Sequence, residues 1–165
     1  MQNIKLLSLA FFAMVLSFAN NSCKHPVATS EDQAIMDEVM TGTLLYYQGN
    51  DVVLRESGNS PHGDFKLLFN QTAWDALDST GRLPVGGTFP DGSLIVKEVI
   101  DGGSTDLYAV MQKKPSSSAA NLGWLWSEFR PNGGVVFSVS DKGNACVGCH
   151  RGNTNRDYTN SFDLH

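Results

Sequence analysis

The sequence predicts an α+β fold that is mainly antiparallel β, with a sheet of about five strands and flanking helices. Two observations lead to this prediction. The carboxyl-terminal half contains several apolar stretches of strand length, rich in β-branched and aromatic residues and separated by turns of glycine, asparagine and proline. The region before them instead shows helical spacing of apolar residues and a side chain that can cap a helix.

The chain begins with a segment typical of an export signal. Met1 to Asn20 carries one early positive charge, Lys5, and then a nearly unbroken apolar run of about 13 residues. That run is too short to cross a bilayer as a helix, which takes about 20 apolar residues. We therefore interpret residues 1–23 as a signal peptide and expect the protein to be exported to the periplasm.

Two ways of processing this leader stay open. Ala19 offers a small residue to an ordinary signal peptidase, whereas Ser22 and Cys23 resemble a loose lipoprotein box. In the second case, a lipid on Cys23 anchors the protein to the membrane, and in the first Cys23 leaves with the leader. Under both interpretations residues 24–32 form a polar tether, and residues 33–165 form the folded domain.

Length and charge bound the domain and its partners. About 140 residues remain after the leader, enough for one domain with a hydrophobic core. The formal net charge of -5 at pH 7 leaves no basic surface of the kind that binds nucleic acid. We therefore expect no nucleic-acid partner.

Two helices are predicted ahead of the main strands. Glu31 to Tyr47 has apolar residues at helical spacing, which is typical of an amphipathic helix packed on a sheet. A shorter helix begins after Asn70, whose side chain can cap it, and ends near Leu77. Thr80 and Gly81 then terminate it.

The strands follow from apolar runs bounded by turn-forming residues. Residues 131–134 read Pro-Asn-Gly-Gly, a strong hairpin turn between the last two strands. The predicted strands are Phe65–Phe69, Ser93–Ile100, Asp106–Gln112, Leu122–Arg130 and Val135–Ser140.

Residues 146–150 read Cys-Val-Gly-Cys-His, the motif that says most about function. Cys146 and Cys149 can form thioether bonds to the vinyl groups of a haem, and His150 then ligates the iron. A redox disulfide is a weaker interpretation because no β-α-β pattern surrounds the motif. A zinc site is also a weaker interpretation, since zinc would need two more ligands at suitable spacing. The motif predicts one covalent haem c, and in bacteria that haem is attached outside the cytosol, in agreement with the export signal.

The position of the motif excludes two common haem c architectures. Small electron-carrier cytochromes have it near the amino end and take a second iron ligand from a downstream methionine, but no methionine follows residue 150 here. Four-helix cytochromes do have a late motif, yet the predicted strands leave too little chain for four long helices. A β-rich domain with a carboxyl-terminal haem motif remains.

Five segments follow one another in a specific order: Phe65–Asn70, Phe89–Glu98 (F-P-D-G-x-x-I-V-K-E), Leu107–Met111, Trp124–Trp126 and the haem motif. With these segments in this order, the chain resembles the cytochrome P-460 and cytochrome c′-beta family over roughly residues 60–151. The resemblance implies an antiparallel sheet with flanking helices, one haem c with a histidine ligand, and often a homodimer. It also implies a distal haem face open to hydroxylamine or nitrogen oxides.

Lys97 is the residue whose role the resemblance affects most. Alternation along its strand places it on one face with Ile95 and Val99 and places Glu98 on the other. In the P-460 branch a lysine at the matching place is bonded to the porphyrin edge and shifts the absorption spectrum, and that branch oxidises hydroxylamine. The alternative is that the stem of Lys97 covers apolar surface while its ammonium reaches water or pairs with a carboxylate.

Three further residues are candidates for haem contacts. Phe65 and Phe89 could line the distal side and restrict it to small ligands, with ordinary core packing as the alternative. Arg130 could bind a haem propionate, with a solvated salt bridge as the alternative.

Three functions follow from this sequence. The first is an exported haem protein that binds and oxidises hydroxylamine or nitric oxide and passes electrons to another cytochrome. The second is a haem protein that binds or senses nitric oxide without turnover. The third is a simple electron-transfer cytochrome with a six-coordinate iron.

Overall fold

The computed structural model describes residues 26–55 and 60–160. The predicted signal peptide and Cys23 lie outside this range. Within it, no helix combines the length and the apolar character that a membrane span requires.

The first helix, α1, is Ser30–Thr41, and a reciprocal capping box begins it. Thr29 Oγ1 accepts the Asp32 N–H at 3.0 Å, and Asp32 Oδ2 accepts the Thr29 N–H at 2.9 Å. The helix ends six residues before the predicted Tyr47, so that part of the prediction was wrong. Gly42 turns to an extended backbone, and a Cβ there would lie 2.3 Å from the Glu38 carbonyl oxygen. Glycine therefore allows the chain to leave the helix at this point.

Six antiparallel strands of the described chain form one sheet, in which every strand pairs with its neighbour in sequence. The sheet has one strand more than the five predicted, and this strand, Leu45–Tyr46, lies at the end of the segment predicted as the first helix. Val135–Ser140 is shorter than predicted because Ser138 caps a 3₁₀ turn, Val139–Asp141, through its hydroxyl. The strands are β1 Leu45–Tyr46, β2 Phe65–Phe69, β3 Leu94–Asp101, β4 Ser104–Lys113, β5 Trp124–Phe129 and β6 Val135–Phe137.

Two short helices complete the secondary structure that concerns the site. The helix α2, Gln71–Trp74, is capped by Asn70 as predicted, although it ends before Leu77. Asn70 Oδ1 accepts both the Ala73 N–H and the Leu94 N–H at 3.0 Å, so one side chain joins the helix to β3. The helix α3, Val147–His150, contains most of the haem motif.

Alternation along the strands gives the sheet two apolar faces. On the helix face, Val96, Val110 and Leu125 pack with α1, as its apolar spacing predicted. On the motif face, Ile95, Met111 and Trp126 pack with the carboxyl-terminal segment. The fuller lists are Ile35, Met36, Val39, Leu68, Leu94, Phe129, Val135 and Val139 for the helix face, and Phe65, Leu67, Phe69, Phe89, Trp124, Cys146, Val147 and Tyr158 for the motif face.

Asp32 joins α1 to the far end of the sheet. Its carboxylate is fully buried and accepts hydrogen bonds from Ser127 Oγ at 3.1 Å, Ser138 Oγ at 2.6 Å and Val139 N at 2.9 Å, besides those from Thr29. Burial alone would raise the pKa of Asp32, but the bonds from Ser138, Thr29 and Val139 outweigh it and keep the pKa below its ordinary value. Asp32 is therefore a charged anchor for the helix.

Asp32→Asn is expected to lower the free energy of unfolding by about 3 kcal/mol, because the amide leaves buried donors without their acceptor. Urea denaturation measures this loss. The folded-state pKa is depressed, so the contribution of Asp32 is present above the ordinary carboxyl pKa and is lost as the pH falls through the lowered value. The difference in unfolding free energy between the wild type and Asp32→Asn therefore becomes smaller at low pH.

Asp37→Asn is the matched control. Asp37 is exposed on the same helix, and its carboxylate accepts a hydrogen bond from Gln33 Nε2 at 2.8 Å. Its replacement should change stability by less than about 0.5 kcal/mol. Equal losses for the two variants would contradict the anchoring role of Asp32.

Candidate haem site

A tight turn against Trp126 precedes the haem motif. Gly143 has φ +63°, and a Cβ at this position would lie 2.4 Å from Trp126 Cδ1. The Gly143 carbonyl accepts the N–H groups of Cys146 and Val147 at 2.8 and 2.9 Å. Glycine thus allows the turn to lie directly on the indole while it begins the motif helix.

A backbone carbonyl fixes the tautomer and the ring orientation of His150. Its Nδ1 lies 2.7 Å from the Tyr158 carbonyl oxygen, and a carbonyl only accepts, so Nδ1 carries the proton and Nε2 keeps a free lone pair. The ring packs edge-on against Trp126, with 4.8 Å between centroids. Burial lowers the pKa of His150 to about 4, so the imidazole is neutral at physiological pH and can bind a metal ion.

A cavity of about 520 Å³ opens in front of the motif, within the range of small-molecule and cofactor sites. Both motif thiols and the imidazole reach its wall, which brings the three groups of a haem c attachment site to one space. The two thiols and the imidazole are therefore of the right chemical type, and lie close enough to one another, to hold a haem. The wall consists of Ser60, Pro61, His62, Lys97, Leu107, Glu128, Phe137, Ala145, Cys146, Cys149, His150 and Asn160.

The two other interpretations of the motif find less support in this geometry. Cys146 and Cys149 are both free thiols, and burial raises the pKa of Cys146 to about 11. Reactive redox cysteines have a depressed pKa instead. Within residues 26–55 and 60–160, no group of three or more histidine, cysteine or acidic side chains is placed to hold a metal ion, whereas structural zinc takes four ligands.

Lys97 lies in the central strand β3 and lines the same cavity as Cys146 and His150. Its side chain is 9% exposed, and its Nζ lies 4.3 Å from the centroid of the Phe65 ring. The ion pairs found among the described residues do not include Lys97. Burial lowers the pKa of Lys97 to about 8, which raises the fraction of neutral amine. The covalent bond to a porphyrin stays a prediction.

Phe89 and Arg130 do not line this cavity. Phe89 is buried and packs edge-on against Trp124, with 5.7 Å between ring centroids. Arg130 is about half exposed and pairs with Asp106 at the sheet surface. Of the candidate haem contacts, Lys97 lines the cavity, whereas Phe65 contacts Lys97 Nζ without being part of the cavity wall.

Two further polar residues of the cavity wall contact each other. His62 Nε2 lies 3.4 Å from Glu128 Oε1, and both side chains are largely buried. Alternation along β5 places Glu128 on the same face as Trp126. The sequence alone could not fix the reach of His62, because His62 lies in a loop.

A six-stranded antiparallel sheet whose motif face carries a Cys-x-x-Cys-His helix, with the imidazole oriented by a backbone carbonyl, defines a cytochrome. The particular family follows from comparison with known proteins. The model of the Cytochrome P460 family matches residues 46–161, and the chain belongs to this family. The match includes Lys97 and the whole haem motif, and membership implies a haem cofactor. No curated protein matches the chain.

Gly143→Ala is expected to destabilise the protein by about 3 kcal/mol, since a left-handed alanine is strained and its methyl group overlaps Trp126. Thermal unfolding and the fraction of chains with covalent haem measure the effect. Gly152→Ala is the control, because a Cβ there meets nothing within 4 Å. If both variants mature and melt like the wild type, the turn does not position the motif.

Proposed function

We propose that this chain is an exported monohaem c-type cytochrome that binds hydroxylamine and nitric oxide, and that it oxidises hydroxylamine where Lys97 is joined to the porphyrin. The observation that carries the proposal is the state of His150. Its Nδ1 donates to the Tyr158 carbonyl at 2.7 Å, and its Nε2 is left for iron on a cavity that both motif thiols line.

The haem would be held by three groups of one short segment. Cys146 and Cys149 would supply the thioether sulfurs, and His150 would supply the axial nitrogen. Haem contributes the iron at which small nitrogen ligands bind and from which electrons leave. The Tyr158 carbonyl orients the imidazole, and the largely apolar cavity wall would limit the access of bulk water to a bound haem.

The remaining cavity wall suits a small polar ligand. It is largely apolar, and His62 and Glu128 provide a hydrogen-bond donor and acceptors 3.4 Å apart. A few placed polar groups in an apolar wall are typical of small-ligand sites. Met111 lines a small adjoining pocket together with Cys146 and His150, and His62 lines the cavity itself. The optical titration below therefore distinguishes an open iron site from a six-coordinate electron carrier.

A second candidate is a nitric oxide carrier or sensor without turnover. The contact between Lys97 and Phe65 favours it, because a cation over an aromatic ring at 4.3 Å is stabilising without any bond to the porphyrin. In that case Lys97 remains an ammonium group at the edge of the pocket. The two candidates share the haem and the ligand and differ in this one bond.

Export and partners complete the proposal. The leader-like start and the haem motif support a periplasmic location, with or without a lipid on Cys23. Oxidation of hydroxylamine releases electrons, and another cytochrome would accept them. The net charge supports the absence of a nucleic-acid partner.

The first test concerns the cofactor and its ligands. Protein matured in a bacterium with haem-attachment machinery should keep one haem after denaturation, and Cys146→Ser with Cys149→Ser should keep none. Optical titration of the reduced wild type with nitric oxide, and of the oxidised form with hydroxylamine, should shift the Soret band. A colourless denatured wild type, or a low-spin spectrum unmoved by both ligands, would refute the proposal.

The second test separates the two candidates. Lys97→Met should abolish both a red-shifted Soret band and hydroxylamine oxidation, because methionine has no amine to join the porphyrin. Lys66→Met is the matched control: Lys66 lies in the adjacent strand, over the Tyr46 ring at 5.8 Å and near Asp51. A shifted band that survives Lys97→Met rules out the bond, and an unshifted wild-type band supports the nitric oxide carrier.

A further inference from the structure

We propose that Asp157 and Lys113 form a positioning pair that controls the orientation and donor strength of the His150 imidazole. This inference rests on the proposed function, because it takes His150 as the axial ligand. It concerns two residues outside the motif, one in β4 and one in the segment after α3.

The first step is the ion pair itself. Lys113 Nζ lies 2.7 and 2.8 Å from the two carboxylate oxygens of Asp157. The side chains are 11% and 3% exposed, respectively. Lys113 also lies over the Trp124 ring, 4.9 Å from its centroid. A pair this buried is fixed in one geometry, because breaking it would leave a charge in an apolar surrounding.

The second step is the number of bonds that converge on Asp157. Its carboxylate accepts the Phe89 N–H at 2.9 Å, and its backbone carbonyl accepts Trp124 Nε1 at 2.9 Å. Two strands and the loop before β3 thus hold one residue of the carboxyl-terminal segment. Asp157 cannot move unless several buried hydrogen bonds break together.

The third step leads from Asp157 to the imidazole. Asp157 and Tyr158 both have left-handed backbones, with φ +51° and +66°. A left-handed backbone is strained for a residue such as tyrosine, and the surrounding structure has to hold the residue in it. The two-residue turn places the Tyr158 carbonyl oxygen 2.7 Å from His150 Nδ1. Lys113 is therefore connected to His150 through Asp157 and the next residue, Tyr158, whose carbonyl contacts the imidazole.

The consequence for the iron follows from hydrogen-bond chemistry. A fixed acceptor on Nδ1 increases the electron donation of Nε2 and prevents rotation of the ring. Stronger axial donation favours the ferric state and lowers the reduction potential. A loosened Tyr158 carbonyl would weaken the iron–histidine bond and raise the potential.

Asp157→Asn and Lys113→Gln test the pair, each keeping a hydrogen-bonding side chain of similar size. We expect the ferrous iron–histidine stretching band to broaden and move to lower frequency in both variants. The ferrous/ferric equilibrium should shift toward ferrous by on the order of tenfold, which is about 59 mV for one electron. Resonance Raman spectroscopy and a redox titration of the haem-loaded proteins measure these changes.

The two variants separate positioning from plain electrostatics. Asp157→Asn removes a negative charge and Lys113→Gln removes a positive charge, so an effect of charge alone would raise the potential in the first and lower it in the second. Positioning raises it in both. Should Asp157→Asn fail to mature, Lys113→Gln decides alone, because only positioning raises its potential. An unchanged or lowered potential in Lys113→Gln overturns the inference.

Two controls complete the design. Asp32→Asn removes an equally buried carboxylate on the helix face and should lower stability without moving the iron–histidine band. His150→Ala should remove that band. If it does, while the Asp157 and Lys113 variants keep the wild-type band and potential, only this inference fails. If His150→Ala leaves the band in place, the proposed function itself fails.

Discussion

The two-residue alternation of side chains in β3, β4 and β5 is the constraint on which the rest of this structure depends. Neighbours in sequence point to opposite faces, so Val96 packs beneath α1 while Lys97 faces the motif. The register carries this division across the sheet, pairing Lys97 with Ala109 and Ala109 with Glu128. A shift of one residue in any of these strands would exchange the two faces and remove the site.

Each face is then fixed by one buried carboxylate, and these two residues lie near the first and the last described residues of the chain. Asp32 ties the first helix to β5 and to the turn after β6, and Asp157 ties the last segment to β4 and β5. Both carboxylates are satisfied by several donors, as buried charges must be. The sheet is thus a common platform, and the two terminal segments are attached to it independently.

Much of this architecture could be predicted because its signals are local. Apolar runs between turn residues indicate strands, and Asn70 indicates a cap, whereas haem attachment at residues 146–150 stays a prediction. The error at β1 has a physical cause: the apolar residues after Gly42 keep helical spacing, and only their pairing with β2 makes Leu45–Tyr46 a strand. Pairing between distant segments cannot be detected in a short stretch of sequence.

The positions of several groups of the site also depend on contacts between distant segments of the chain. His62 reaches the cavity from a loop, and the Tyr158 carbonyl is a backbone group whose role no side-chain pattern reveals. Phe89 looked like a pocket residue because it is aromatic and begins a diagnostic segment. Its ring instead packs against Trp124, since burial in a core and exposure to a ligand require the same type of residue.

The lengths of the outermost strands bear on how copies of this protein can meet. The sheet ends in strands of two and three residues, Leu45–Tyr46 and Val135–Phe137, which offer few backbone groups to a neighbouring chain. Such short edge strands disfavour edge-to-edge pairing of sheets from different molecules, and therefore aggregation. Side-chain surfaces are the better candidates for contact between two copies, because such surfaces can form a symmetric interface.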